Sequence, residues 1–147
     1  MRVLEVFLAT GKPISSFQKK SKKNRSFNVI NIGLQMERTI LYDRINLRVD
    51  QMIKNGLIEE VKTLLPFEDL NALQTVGYSE IFDYLNNKHS LERAIELIKR
   101  NSRRYAKRQL TWFRKESDIT WFEPSEIEKI INHIDETITS INQRKIV

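Results

Sequence analysis

The chain has 147 residues, 40% hydrophobic and 30% charged, which supports one packed core but falls short of two ordinary domains. It has no cysteine, which excludes a disulfide framework, a thiolate metal site and a thiol nucleophile, and its apolar runs fall far short of the roughly 20 residues that span a bilayer. Lys and Arg number 25 against 19 Asp and Glu, for a net charge of +6, and the excess is segregated: residues 12–25 carry six basic side chains and residues 99–115 carry eight, neither segment holding an acid. An acidic body with two cationic segments points to a polyanionic partner. Glu5 interrupts the only candidate signal-peptide core, so a cytoplasmic location is expected.

Residues 2–10 (RVLEVFLAT) read as a short helix with Val3, Leu4, Phe7 and Leu8 on one side, stopped by Gly11 and Pro13. The polar, basic stretch 14–26 reads as a loop. Residues 27–34 (FNVINIGL) alternate imperfectly and read as a strand. A long helix is predicted over 36–55, ended by Gly56, then a shorter one (LIEEVKTLL) up to Pro66. Residues 67–76 read as a loop, 78–87 as a helix, and 90–116 as the longest helix, opened by Ser90. ITWF at 119–122 reads as a second strand. Ser125 and Glu128 have capping-box spacing ahead of a last helix through Ile127, Ile130, Ile131, Ile134, Ile138 and Ile141. Strands so far apart cannot form a hairpin. They belong to a sheet with strands elsewhere, or they pair through a long crossover. The chain is therefore either all-α with a minor ribbon or part of a larger α/β protein.

Two helices carry functional information. At 100° per residue, Leu91, Ala94, Ile95, Ile98, Ser102, Tyr105, Ala106, Gln109, Trp112 and Phe113 lie within about 60° of one line, which predicts a core face over the whole 90–116 helix. Lys99, Arg100, Arg103, Arg104, Lys107, Arg108, Arg114 and Lys115 fill the rest of its later turns. Helix-dipole preference concerns only the last turn, whereas a phosphate backbone would relieve repulsion along the whole face. In the 36–55 helix, Arg48 falls beside the apolar stripe of Leu41, Ile45, Val49, Met52 and Ile53, Arg38 falls inside it, and Arg44 lies one turn before Arg48. A guanidinium beside a packed face has two readings: a structural ion pair or snorkelled side chain, or an anion site suited to phosphate. Spacing alone leaves both open. The lysines at 19–25 read as a solvated loop, and His89 and His133 as isolated surface histidines. No GxxxxGK(S/T) loop, nucleophile–base pair or carboxylate pair is present, so no catalytic apparatus is evident.

The strings RVLEVFLATGKPIS, ERTILYDRINLRVDQMIKNGLIEEV, LQTVGYSEIFDYL and SRRYAKRQLTWFR resemble the C-terminal half of the tRNA dimethylallyltransferases (tRNA isopentenylpyrophosphate transferases), over roughly residues 2–122. The resemblance implies an α/β fold, the C-terminal part of a P-loop-kinase-like parallel sheet with flanking helices. Its segments would be the end of a helical insert and a basic loop (1–26), the transferase core (27–122) and a C-terminal helix (123–147). It implies transfer of a dimethylallyl group from dimethylallyl pyrophosphate to N6 of the adenosine 3′ of the anticodon, with magnesium, on a flipped base. By position, Arg48, with Arg44, would contact the prenyl pyrophosphate. Asn71 and Gln74 of the 67–74 segment, and Arg100, Arg103, Arg104, Lys107 and Arg108 of the cationic helix, would contact the anticodon stem-loop of tRNA. The family's phosphate-binding loop, catalytic aspartate and magnesium ligands have no counterpart here. The resemblance therefore implies no catalytic residue in this chain, little activity of the chain alone, a monomeric full-length enzyme and no membrane. A free-standing helical RNA-binding module and a protein-interaction domain with an acidic partner are the competing readings.

Overall fold

The computed structural model describes residues 2–17 and 27–144, so Lys19, Lys20, Lys22, Lys23 and Arg25 of the first cationic segment lie outside the described residues. In chain order the elements are α1 (Arg2–Thr10), β1 (Asn31–Leu34), α2 (Arg38–Lys54), α3 (Leu57–Leu64), α4 (Tyr78–Leu85), α5 (Leu91–Phe113), β2 (Ile119–Phe122) and α6 (Ile127–Arg144). Gly11 closes α1 with a φ of +68°, its N–H donating to Phe7 O at 2.8 Å, the left-handed stop that glycine tolerates.

β1 and β2 pair with each other in parallel, Asn31 opposite Ile119 through Leu34 opposite Phe122. The crossover is α2 to α5, as parallel strands require. β1 is shorter than the 27–34 expectation because Asn31 already meets the first residue of β2, and residues before it have no strand to pair with. Gly33 lies opposite Trp121, where a Cβ would come within 2.6 Å of the indole. Only glycine leaves room for the ring.

α2 begins two residues later than expected, at Arg38. The Glu37 carboxylate accepts the N–H groups of Thr39 at 2.8 Å and Ile40 at 3.1 Å, satisfying donors that have no partner within the helix. Gly56, at φ +96°, turns the chain into α3. Pro66 sits inside a 3₁₀ turn, Leu65–Phe67, and a second turn, Asn71–Leu73, interrupts the expected loop. The Ser125–Glu128 capping box is not what opens α6. The helix starts at Ile127, and it is the Glu126 carboxylate that accepts a main-chain N–H, from Glu123 at 2.8 Å.

The core is Val49 of α2, Leu57 and Val61 of α3, Ile81 and Phe82 of α4, and Ala94 and Ile98 of α5. It covers only the first half of the α5 stripe. Tyr105, Trp112 and Phe113 are 53%, 59% and 41% exposed, so the expected six-turn core face is half right: the buried residues of α5, Ala94 and Ile98, both lie in its early turns. The two histidines are half-buried rather than fully exposed. Both ring nitrogens of His89 are buried without a hydrogen-bond partner, and the His133 ring lies 5.5 Å from that of Phe122.

Candidate nucleic-acid interface and anion cleft

The cationic face belongs to α5 and is not uniform. Lys99 pairs with Asp50 of α2 at 2.6 Å, and Arg103 donates from Nη1 to Asn46 Oδ1 at 2.6 Å. The eight charges expected to stand unrelieved therefore include one neutralised by α2 and one held by it. Arg100 is half-buried and donates to Asn101 Oδ1 at 3.4 Å; Asn101 donates in turn to Glu80 Oε1 at 2.7 Å. The other oxygen of Glu80 accepts the Gly77 N–H at 2.7 Å. Arg104 and Lys107 are exposed, and among the described residues their side chains make no ion pair.

Beside this face, α2, α5 and residues 74–76 enclose a cleft of about 830 Å³. Its floor is apolar (Leu41, Ile45, Val49), and Arg48, Gln74 and Arg108 stand on its lining. The Arg108 guanidinium lies 5.6 Å from the Tyr105 ring, a cation–π contact that keeps a charge beside aromatic surface. The Gln74 amide is turned to Glu68 O at 2.6 Å. Arg48 also borders a neighbouring groove of about 660 Å³ that Arg44 lines. Both arginines are exposed and, among the described residues, make no ion pair. The structural ion-pair reading of Arg48 thus has no described partner to support it. Because the side chain is open to water, burial alone does not demand an anion there.

The structure brings Arg48, Gln74 and Arg108 to one cleft and leaves Arg100, Arg104 and Lys107 outside it. Asn71 is exposed on its own 3₁₀ turn, where its carbonyl accepts the Gln74 N–H at 3.3 Å. Sequence reasoning missed Tyr42 and Asn46. Their signal was the four-residue spacing of Arg38, Tyr42, Asn46 and Asp50, one ridge of α2.

The family model described as IPP transferase matches residues 1–116. The chain belongs to the IPP transferase family. A tRNA dimethylallyltransferase of Christiangramia forsetii is 53% identical over 141 residues, covering 95% of this chain and 47% of that protein. The full-length tRNA isopentenylpyrophosphate transferase of Bacillus halodurans superposes with a TM-score of 0.78 at 42% identity, over 91% of this chain and 47% of its own. A eukaryotic dimethylallyltransferase acting on tRNA superposes with a TM-score of 0.74 at 26% identity, over 95% and 40%. The chain thus spans about half the length of the curated relatives it matches. These matches reach further along it than the 2–122 of the resemblance. The fold class is the one expected, α/β with a parallel strand pair flanked by helices, as part of an IPP transferase fold. No helix among the described residues is long and apolar enough to cross a membrane.

Proposed function

We propose that this chain is the tRNA-gripping and donor-holding part of a tRNA dimethylallyltransferase, the enzyme that joins a dimethylallyl group to N6 of the adenosine 3′ of the anticodon. The observation that carries the reading is the cleft in which Arg48 and Arg108 flank an apolar floor beside the cationic face of α5. An apolar floor with cations at its edge suits a ligand that is half hydrocarbon and half diphosphate. In this reading Arg48, with Arg44 one turn away, binds diphosphate oxygens through its planar fork. As the bond between the dimethylallyl carbon and the diphosphate oxygen breaks and N6 bonds to that carbon, these guanidinium groups stabilise the charge gathering on the leaving group. Arg100, Arg104 and Lys107 take the phosphates of the anticodon stem-loop, contacts that position the RNA without reading its sequence. The proton lost from N6 is assigned to no residue of this chain. Among the described residues no three His, Asp or Glu side chains are grouped together, and magnesium is assigned to no residue of this chain.

The test separates the two roles. Arg104→Gln should weaken binding of an unmodified tRNA transcript several-fold and flatten the log–log salt dependence by about one. Arg48→Gln should leave tRNA affinity nearly unchanged and, introduced into a full-length relative, impair use of dimethylallyl pyrophosphate. Equal loss of tRNA affinity from both changes would contradict the assignment. The chain incubated alone with dimethylallyl pyrophosphate, Mg²⁺ and tRNA should yield little prenylated product.

A further inference from the structure

The seam between α2 and α5 changes character along its length. On α2, Arg38, Tyr42, Asn46 and Asp50 recur every four residues and form one ridge. On α5, Lys99, Arg103 and Lys107 do the same. Asp50 meets Lys99 at 2.6 Å and Asn46 meets Arg103 at 2.6 Å, so the two ridges run antiparallel. At the first station the cation is neutralised by a carboxylate. At the second, the position that would complete another ion pair holds an amide, which orients the Arg103 guanidinium and leaves its charge in place.

At the third station α2 supplies a ring and a further cation. Arg103 lies 6.0 Å and Arg38 5.1 Å from the centre of the Tyr42 ring, and Arg38 Nε donates to the Tyr42 hydroxyl at 2.9 Å. Lys107 is one turn further along the α5 ridge. Among the described residues neither Arg38 nor Arg103 makes an ion pair. The nearest carboxylate in sequence, Glu37, is turned to the Thr39 and Ile40 N–H groups.

We propose that Arg38 and Arg103, gathered around Tyr42, form a phosphate clamp that carries the RNA-binding surface off α5 and onto the start of α2, with the phosphodiester backbone of RNA as its ligand. The inference rests on the tRNA reading of α5 and adds Arg38, Tyr42 and Asn46 to it. Two like charges brought to one ring from different helices repel unless an anion joins them. Cation–π contact with Tyr42 holds both guanidinium groups in place before the anion arrives. Guanidinium groups already oriented lose less conformational freedom when they take phosphate oxygens.

The test uses the full chain and an unmodified tRNA transcript, with binding followed by anisotropy across a salt series. Arg38→Gln should weaken binding several-fold and reduce the salt slope by about one. Asn46→Asp is the more telling change. It keeps the acceptor that holds Arg103 but adds the missing carboxylate, so thermal stability should hold or rise while tRNA affinity falls several-fold. A purely structural seam would leave tRNA affinity unmoved by that change. Loss of affinity in Arg104→Gln with none in Arg38→Gln and Asn46→Asp would overturn the clamp and leave the α5 interface standing. Absence of tRNA binding by the unaltered chain would overturn both.

Discussion

Among the described residues Glu80 is the one buried charged side chain, 7% exposed, and it is fully employed. One oxygen accepts the Gly77 N–H that opens α4 and the other accepts the Asn101 amide of α5, each at 2.7 Å. Gly77 stands at φ +106°, where a side chain would be strained, which is the physical content of the Val76-Gly77-Tyr78 string. The next residue ties α4 to α3: the Tyr78 hydroxyl donates to the Glu60 carboxylate. That hydrogen bond, followed by burial and the negative charge of Glu60, pushes the phenol above its ordinary value. Glu80→Gln should cost about 1–3 kcal/mol in chemical denaturation. A glutamine amide presents one acceptor where two donors need one each, and turning the Asn101 amide to compensate gives up its acceptance from Arg100. Stability equal to that of the unaltered chain would show that the network rearranges freely.

Three helices start on a carboxylate that their own main-chain or neighbouring donors hold below its ordinary value of 4.5. For Glu37 at α2 the largest cause is the Thr39 hydroxyl, followed by the Thr39 and Ile40 N–H groups. For Glu92 in the first turn of α5 it is its own N–H, then Ser90. For Glu126 before α6 it is the Lys129 ammonium, then the Glu123 N–H. A carboxyl depressed in the folded state stabilises it at pH values above its unfolded pKa, and that contribution is lost as pH falls through the folded value. These helix starts should therefore be intact near neutral pH and fray on acidification below the ordinary glutamate range. Amide-exchange protection at Thr39 and Ile40 should drop accordingly, and in Glu37→Gln it should lose its dependence on pH. Each element was legible in the sequence from its period, but its caps were less so. Ser125 and Glu128 have capping-box spacing, yet α6 starts only at Ile127, and the carboxylate that the turn after β2 engages is that of Glu126, which accepts the Glu123 N–H ahead of the helix.

Across the molecule, burial is concentrated at one end. Ile98 is 1% exposed and Trp112, fourteen residues on along the same α5 stripe, is 59% exposed. Ile98→Ala should cost about 2–5 kcal/mol, the range for emptying a packed site. Trp112→Gln should change stability by no more than about 0.5 kcal/mol, as a surface change does. Comparable losses from both, measured by denaturant unfolding, would mean that the later turns of α5 are packed after all. The same asymmetry places the ligand-facing groups: where the stripe emerges from the core, Arg48, Arg108 and Gln74 stand around the cleft it leaves open.

The sequence by itself determined the order and kind of the elements, the segregation of charge onto α5, and the impossibility of a hairpin between β1 and β2. These follow from period, composition and separation along the chain. Tertiary structure alone decided three things. It decided that the strands pair with each other and that Gly33 makes room for Trp121. It decided that burial stops midway along α5. And it decided which cations are free, since Asp50 and Asn46 reach Lys99 and Arg103 from far away in the chain. The reason is one of range. A helix's apolar face is set by neighbours three and four residues away, but whether that face is covered, and whether a charge on it is answered, depends on which distant helix packs beside it.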